Sequence, residues 1–133
     1  MWPFSKKHGE PALGRRGERI ARRHLKRMGF KILATNYRCS AGEADLIALD
    51  SSTIRSADEA ETLVFVEVKT RSCDKYTDPQ AAVDVDKQAR LRKIAKYYLT
   101  THNAADMNVR FDVVAVVARP GQAPQITHIP DAF

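Results

Sequence analysis

Cysteine is scarce in this chain, which holds two cysteines among its 133 residues. Cys39 and Cys73 do not belong to a Cys-x-x-Cys pair, and the four histidines are scattered along the sequence. Because zinc sites are built from closely spaced Cys and His ligands, we expect no zinc site. A chain of this length can bury an apolar core without disulfides, so a reducing cytoplasm is the simplest compartment.

Long apolar runs are also missing. None approaches the roughly 20 residues that a membrane-spanning helix needs, and residues 1–8 contain no apolar segment typical of a secretory signal. We therefore expect a cytoplasmic protein without a membrane partner.

The length suits one domain. We assign it to residues 12–133, behind a flexible leader, residues 1–11, in which Pro3, Gly9 and Pro11 accompany a lack of periodicity.

Acidic residues are nearly absent from the first part of the chain. Residues 1–38 contain eleven Lys and Arg against Glu10 and Glu18, and residues 87–98 contain five Lys and Arg and no acid. The acids gather between positions 43 and 86, and the formal net charge is +6. A basic surface with a separate acidic cluster suits a polyanion and a cation site, although basic helix faces can also serve solubility alone.

Hydrophobic periodicity predicts an α/β fold with the order α-β-β-β-α-β and one short further strand. We expect helices at about 12–28 and 84–100, the first with an apolar stripe of Ala12, Ile20, Ala21, Leu25 and Met28. Gly14 and Gly17 in that helix suggest close packing. The predicted strands are 30–37, 43–50, 63–70, 109–118 and 125–129. Asp112 in the fourth strand is expected to form a salt bridge or a cap.

Charged side chains interrupt the two most apolar strands. Asp45 lies in Glu-Ala-Asp-Leu-Ile-Ala-Leu-Asp, and Glu67 and Lys69 lie in Leu-Val-Phe-Val-Glu-Val-Lys-Thr. Side chains alternate between the faces of a strand, so Glu43 lies on the same face as Asp45, and Glu67 on the same face as Lys69. If these strands pair as antiparallel neighbours with the faces aligned, all four groups converge.

Such a cluster predicts metal-assisted chemistry. Carboxylate oxygens suit a hard cation such as Mg²⁺ or Mn²⁺, and Lys69 can orient a water for attack on phosphorus. Glu18, on the inward side of the basic helix, can reach the same site. The alternative is a charge ladder between Glu67 and Lys69 on a solvent face, with Asp45 in a salt bridge to an arginine.

Several basic or polar residues flank this cluster and are expected to contact nucleic acid. Arg71 follows the third strand, and Gln88 lies on the inward side of the second helix; the alternatives are a plain surface charge and a polar helix start. The full predicted set is Arg15, Arg16, Arg19, Arg38, Arg71, Lys87 and Gln88.

Six stretches together resemble the YraN family of small bacterial proteins. They are Gly14-x-x-Gly17-Glu18-x-x-Ala21, Gly29-Phe30-x-Ile32-Leu33, Asn36-Tyr37-Arg38, Gly42-Glu43-Ala44-Asp45-Leu46-Ile47, Phe65-Val66-Glu67-Val68-Lys69-Thr70-Arg71 and Arg110-Phe111-Asp112-Val113-Val114. That family is grouped with the restriction-endonuclease-like, PD-(D/E)XK nucleases and is similar in core to archaeal Holliday-junction resolvases. The resemblance therefore implies an αβββαβ core with a central mixed sheet flanked by helices.

The resemblance also implies roles for matching positions. Asp45 and Glu67 correspond to the two metal-binding acids, the carbonyl of Val68 to a further ligand, and Lys69 to the catalytic lysine. Glu18 corresponds to the helix glutamate that resolvase-like members place near the metal. Glu43 corresponds to a ligand or to a partner of one. Ala44 replaces the usual proline before the aspartate.

The favoured function is metal-dependent cleavage of DNA, on branched, flapped or single-stranded structures during repair or recombination. A second hypothesis is a non-catalytic DNA-binding or accessory protein that keeps the nuclease fold, and a third is an RNA-processing nuclease. Resolvase-like relatives often pair because symmetric cuts need two sites, so a homodimer is an open expectation.

Overall fold

Helices and strands follow the predicted order in the computed structural model, which describes residues 11–54, 56–57, 59–72 and 83–133. The bounds are α1 Pro11–Arg27, β1 Lys31–Cys39, β2 Gly42–Asp50, β3 Thr62–Arg71, α2 Val85–Thr101, β4 Asn108–Val117 and β5 Gln125–Ile129. All lie within two residues of the predicted bounds. The predicted leader lies outside the described residues except for Pro11, which begins α1, so its flexibility stays a prediction.

The five strands form one sheet in the order β1-β2-β3-β4-β5. Strands β3 and β4 pair in parallel, whereas the other three neighbouring pairs are antiparallel. Parallel neighbours need a crossover connection, and α2 supplies it between β3 and β4. The predicted mixed central sheet is therefore confirmed, including the antiparallel pairing of the two strands that carry Asp45 and Glu67.

The two helices cover opposite faces of the sheet, because alternate residues of β3 belong to different cores. Val64 and Val66 pack with Ala21 and Leu25 of α1, whereas Phe65 packs in the core formed with α2. The buried positions of α2 recur at helical spacing: Leu91, Ile94, Ala95 and Tyr98. Two apolar layers thus hold the sheet between the helices.

Close contact between α1 and β3 depends on Gly17. A Cβ atom added there would lie 1.9 Å from Thr70 Oγ1 and 2.8 Å from Thr70 Cβ, which is too close for any real contact. Gly14 has nothing within 4 Å of such an atom among the described residues, so close packing is found at only one of the two predicted glycines. Met28 was predicted in the apolar stripe but is 52% exposed, because α1 ends at Arg27.

A buried ionic network joins β2, β4 and β5. Arg110 donates to Asp50 Oδ2 at 2.9 Å and to both oxygens of Asp112 at 2.8 and 2.9 Å. His128 Nε2 donates to Asp112 Oδ2 at 2.7 Å, and the backbone N–H of Asp131 donates to Oδ1 at 3.0 Å. The predicted salt bridge of Asp112 is confirmed, and its function is structural, since Asp112 is fully buried and well supplied with donors.

Candidate active site

Asp45 lies where the hydrogen-bonded register of β2 and β3 ends. The register runs from Asp50 opposite Thr62 to Leu46 opposite Val66. Beyond this point, the backbone N–H of Val68 donates to Asp45 Oδ2 at 2.8 Å, and both groups are buried. The carboxylate therefore accepts a bond from a β3 amide, and this bond fixes the Asp45 side chain at the point where the two strands part.

Glu18 reaches this region from α1. Asn36 of β1 has a φ of 50°, in the left-handed region that asparagine tolerates better than most residues. Its Nδ2 donates to Glu18 Oε1 at 3.0 Å. The negative charge of Glu18 contributes to raising the pKa of Asp45, after the larger effect of burial, so the two carboxylates act on each other.

Glu67 and Lys69 are both buried in β3, at 1% and 2% exposure. The glutamate has no hydrogen-bond donor to either side-chain oxygen within the described part of the chain. Lys87 Nζ lies 3.6 Å from Glu67 Oε1. A buried carboxylate without donors is costly and therefore rare in folded proteins. The solvent-face alternative for Glu67 and Lys69 is wrong, because neither side chain reaches solvent.

The ionisation of this cluster is strongly perturbed. Burial raises the pKa of Asp45 to about 6, against the opposing hydrogen bond from Val68. Burial also raises the pKa of Glu67 well above its usual range, and the charge of Asp45 adds to that rise. Burial lowers the pKa of Lys69 to about 8, while the charge of Glu67 opposes this. Perturbed groups of both signs at one buried place are typical of functional sites.

Lys87 lies inside this cluster, although the sequence predicted it at a nucleic-acid surface. It belongs to the first turn of α2, and its side chain is 8% exposed. Burial lowers the pKa of Lys87, and the charges of Glu67 and Asp45 oppose that effect. Gln88, the next residue, was also predicted to contact nucleic acid. Its Nε2 donates to the carbonyl of Val83 at 3.0 Å, so it supports the start of α2.

Glu43 does not join the other acids. It forms an ion pair with Arg38 at 3.0 Å, across the β1–β2 hairpin. Within the described ranges, no three His, Cys, Asp or Glu side chains come together in a way that could hold a metal ion. The predicted convergence of all four groups is therefore not found, because Arg38 holds Glu43 at the hairpin while Asp45, Glu67 and Lys69 are buried.

The remaining predicted cationic residues lie on the surface or at its margin. Arg38 has a side chain 75% exposed, and Arg71 is partly buried at the end of β3, where its Nη1 donates to the Thr70 carbonyl at 3.3 Å. The exposed arginines of α1 flank Glu18 in sequence: Arg15, Arg16 and Arg19.

Two buried carboxylates fit a hard divalent cation. Mg²⁺ is commonly bound through one or two carboxylates and keeps several waters, so a third acid is not required. Burial raises the pKa of both carboxyl groups, and a divalent cation beside them would favour their ionised forms. Asp45 and Glu67 would hold the ion, and the Val68 carbonyl would add an oxygen ligand.

Comparison with known proteins identifies the family of this chain. The model described as "Uncharacterised protein family UPF0102" matches residues 17–116. The chain belongs to the UPF0102 family. The resemblance to YraN proteins is thereby confirmed at the level of the family, and the matched span includes Glu18, Asp45, Glu67, Lys69 and Lys87.

Relatives in this family come from diverse bacteria. A UPF0102 protein of Syntrophus aciditrophicus (strain SB) is 48% identical over 120 residues, which cover 90% of this chain and 87% of the relative. Another, from Geobacter sulfurreducens, is 42% identical over 126 residues, which cover 95% of this chain and 91% of the relative. A UPF0102 protein from Frankia casuarinae is 45% identical over 123 residues, which cover 92% of this chain and 96% of the relative. The similarity thus extends over nearly the whole of each protein.

Among the described residues, the helices are too short or too polar to cross a bilayer.

Proposed function

We propose that this protein is a divalent-metal-dependent DNA endonuclease that cleaves branched, flapped or single-stranded DNA. The observation that carries the proposal is Glu67, a buried carboxylate without a hydrogen-bond donor in the described ranges, beside the similarly buried Asp45. The similarity of the motifs and of the αβββαβ order to restriction-endonuclease-like proteins and archaeal resolvases supports it.

The reaction requires a water oxygen to bond to phosphorus while the bond from phosphorus to the leaving oxygen breaks. A bound Mg²⁺ or Mn²⁺ supplies Lewis-acid stabilisation of the charge that develops on the phosphate. Lys69 is two residues from Glu67 on the same strand and can orient the attacking water or contact a phosphate oxygen. The exposed arginines of α1, next to Glu18, can hold the flanking phosphates.

The decisive experiment is cleavage of a labelled panel that contains duplex, single strand, flap and four-way junction, each in Mg²⁺, Mn²⁺ or EDTA. Glu67→Gln keeps the shape of the side chain and removes its charge, whereas Asp106→Asn makes the same change at an exposed position. We expect metal-dependent cleavage by the parent and by Asp106→Asn and none by Glu67→Gln. Equal cleavage by all three would contradict the proposal. An RNA form of the preferred substrate tests for an RNA-processing activity.

A second candidate is a DNA-binding accessory protein without cleavage activity. Lys87, 3.6 Å from Glu67, supplies a positive charge to the acids without any metal, which favours this alternative. It predicts salt-sensitive DNA binding with no cleavage of any panel member. Light scattering of the same samples tests the homodimer, which stays a prediction.

A further inference from the structure

Lys87 occupies an unfavourable place for a cation. Asp84 caps α2 by accepting from the Lys87 backbone N–H at 2.8 Å, so the residue lies in the first helical turn. This end of a helix carries partial positive charge and disfavours a neighbouring cation. Burial of the ammonium is a further cost. A favourable interaction must offset the helix-dipole and burial costs of Lys87. The carboxylate of Glu67, whose side chain is 1% exposed, forms an ion pair with Lys87 and supplies that interaction.

The contact between the two groups is electrostatic. The distance from Lys87 Nζ to Glu67 Oε1 is 3.6 Å, longer than the roughly 2.7–2.9 Å of a charge-assisted hydrogen bond. In the described part of the chain both glutamate oxygens lack a hydrogen-bond donor. Within the described residues, the ammonium therefore balances the charge of the carboxylate while neither oxygen is held by a hydrogen bond.

The charges of the four buried groups on β2, β3 and α2 are balanced, with Glu18 at the edge of this set. Asp45 and Glu67 carry two negative charges when ionised, and Lys69 and Lys87 carry two positive charges when protonated. A divalent cation added to this set leaves an excess of positive charge close to the Lys87 ammonium. An anion such as a phosphodiester would remove that excess.

We propose that Lys87 is the internal counter-ion of the acid pair, which a divalent cation displaces from Glu67 and which then binds a phosphate oxygen of the substrate. The proposal rests on the metal site of the proposed function and adds a substrate-binding role for Lys87. It implies that cation and DNA bind cooperatively, and linkage requires each to strengthen the other equally.

Direct measurement of Mn²⁺ affinity by electron paramagnetic resonance, without DNA, tests the displacement. We compare the parent with Lys87→Met, and with Lys93→Met as an exposed control on the same helix. Removing a positive charge so close to the cation should tighten Mn²⁺ binding by about tenfold or more in Lys87→Met. Lys93→Met should bind as the parent does. Equal or weaker binding by folded Lys87→Met would overturn the proposal.

Lys87→Gln carries the same test if Lys87→Met does not fold, because its amide can still bridge to the glutamate. Glu67→Gln separates the two proposals, since it should lose Mn²⁺ binding altogether. If the parent itself binds no Mn²⁺, the metal site and the counter-ion role both fail. If parent and Lys87 variants bind alike and only Glu67→Gln does not, the metal site stands and the counter-ion role is overturned.

The contact of Lys87 with a substrate phosphate is tested by DNA affinity. This affinity is measured from the fluorescence anisotropy of a short labelled duplex in Ca²⁺ or EDTA. For the parent, Ca²⁺ should tighten binding, and Lys87→Met should lose most of that gain while keeping its affinity in EDTA. A full Ca²⁺-dependent gain in Lys87→Met would overturn the phosphate contact of Lys87.

Discussion

The backbone N–H of Val68 donates to Asp45 Oδ2 at 2.8 Å, so a β3 amide fixes a β2 carboxylate at the point where the strands part. Burial nevertheless raises the pKa of Asp45 to about 6 from the usual 3.8. The folded protein therefore binds this proton more tightly than the unfolded chain does, and ionisation above pH 6 destabilises the fold. An ionised carboxylate at this position therefore lowers the stability of the fold.

Asp45→Asn should therefore stabilise the metal-free protein while it abolishes cleavage. The asparagine oxygen can still accept from Val68, and the cost of ionisation disappears. The difference between a pKa of about 6 and 3.8 corresponds to roughly 3 kcal/mol at most, or a rise in Tm on the order of 10 °C. Thermal unfolding in EDTA at pH 8 measures it.

The pH dependence provides the control for this substitution. The gain from Asp45→Asn should be largest above pH 6 and should shrink as the pH falls towards 4, because the parent then carries the proton as well. Asp106→Asn, on the surface, should change Tm little at any pH. A gain that does not depend on pH would show that ionisation of Asp45 is not its cause.

Gly17→Ala and Gly14→Ala should have opposite effects on stability. At position 17 the new methyl group overlaps Thr70, so α1 must move from β3 at a cost of about 1–3 kcal/mol. At position 14 the described structure leaves open space, and alanine should add up to about 1 kcal/mol of helix stability. Denaturant unfolding of both variants measures the two changes, and equal shifts would contradict this account.

Much of the site could be predicted from the sequence because a charge within an apolar strand is conspicuous. Asp45, Glu67 and Lys69 were found that way, and the antiparallel pairing of their strands followed from a connection short enough for a hairpin. Helix and strand periodicity gave the element order in the same way.

Residues whose contacts depend on tertiary packing could not be assigned. Lys87 lies in the basic run 87–98, but it stands four residues before Leu91 on the buried stripe of α2, so helical spacing could have indicated its burial. Its contact with Glu67 depends on the placement of α2 over the sheet. Glu43 shares a strand with Asp45, but the hairpin register sets it opposite Arg38. His128 belongs to a short edge strand, and no local pattern connects it with Asp112.

Asp112→Asn should destabilise the protein strongly, because it leaves Arg110 and His128 without a charged partner on β4. Burial alone would raise the pKa of Asp112, but the hydrogen bonds from His128, Arg110 and Asp131 outweigh it and hold the pKa below its usual range. We expect a loss of about 3–5 kcal/mol near neutral pH, as for other broken buried pairs. Chemical unfolding at pH 7 measures this loss.

This loss should diminish in acid. The lowered pKa means that Asp112 stabilises the fold above the unfolded value near 3.8 and loses this effect as the pH falls through its folded value. The matched control is Glu43→Gln, which breaks an ion pair to the exposed Arg38 and should cost no more than about 1 kcal/mol. A small effect of Asp112→Asn at pH 7 would contradict the structural role of the network.

Replacing the exposed arginines of α1 tests whether this helix holds DNA. Arg15 and Arg19 are one helical turn apart and flank Glu18, so phosphates bound there lie close to the acid site. Changing Arg15, Arg16 and Arg19 to glutamine should weaken DNA binding on every sequence. It should also reduce the slope of the logarithm of the DNA-binding constant against the logarithm of the salt concentration. The reduction is up to about 2.7, near 0.9 for each lost phosphate contact.

The control is Lys93→Gln with Lys96→Gln, on the helix that covers the opposite face of the sheet, which should leave the slope almost unchanged. An unchanged slope in the arginine variant would place the DNA elsewhere on the protein, and Arg38 and Arg71 would then be the next positions to replace.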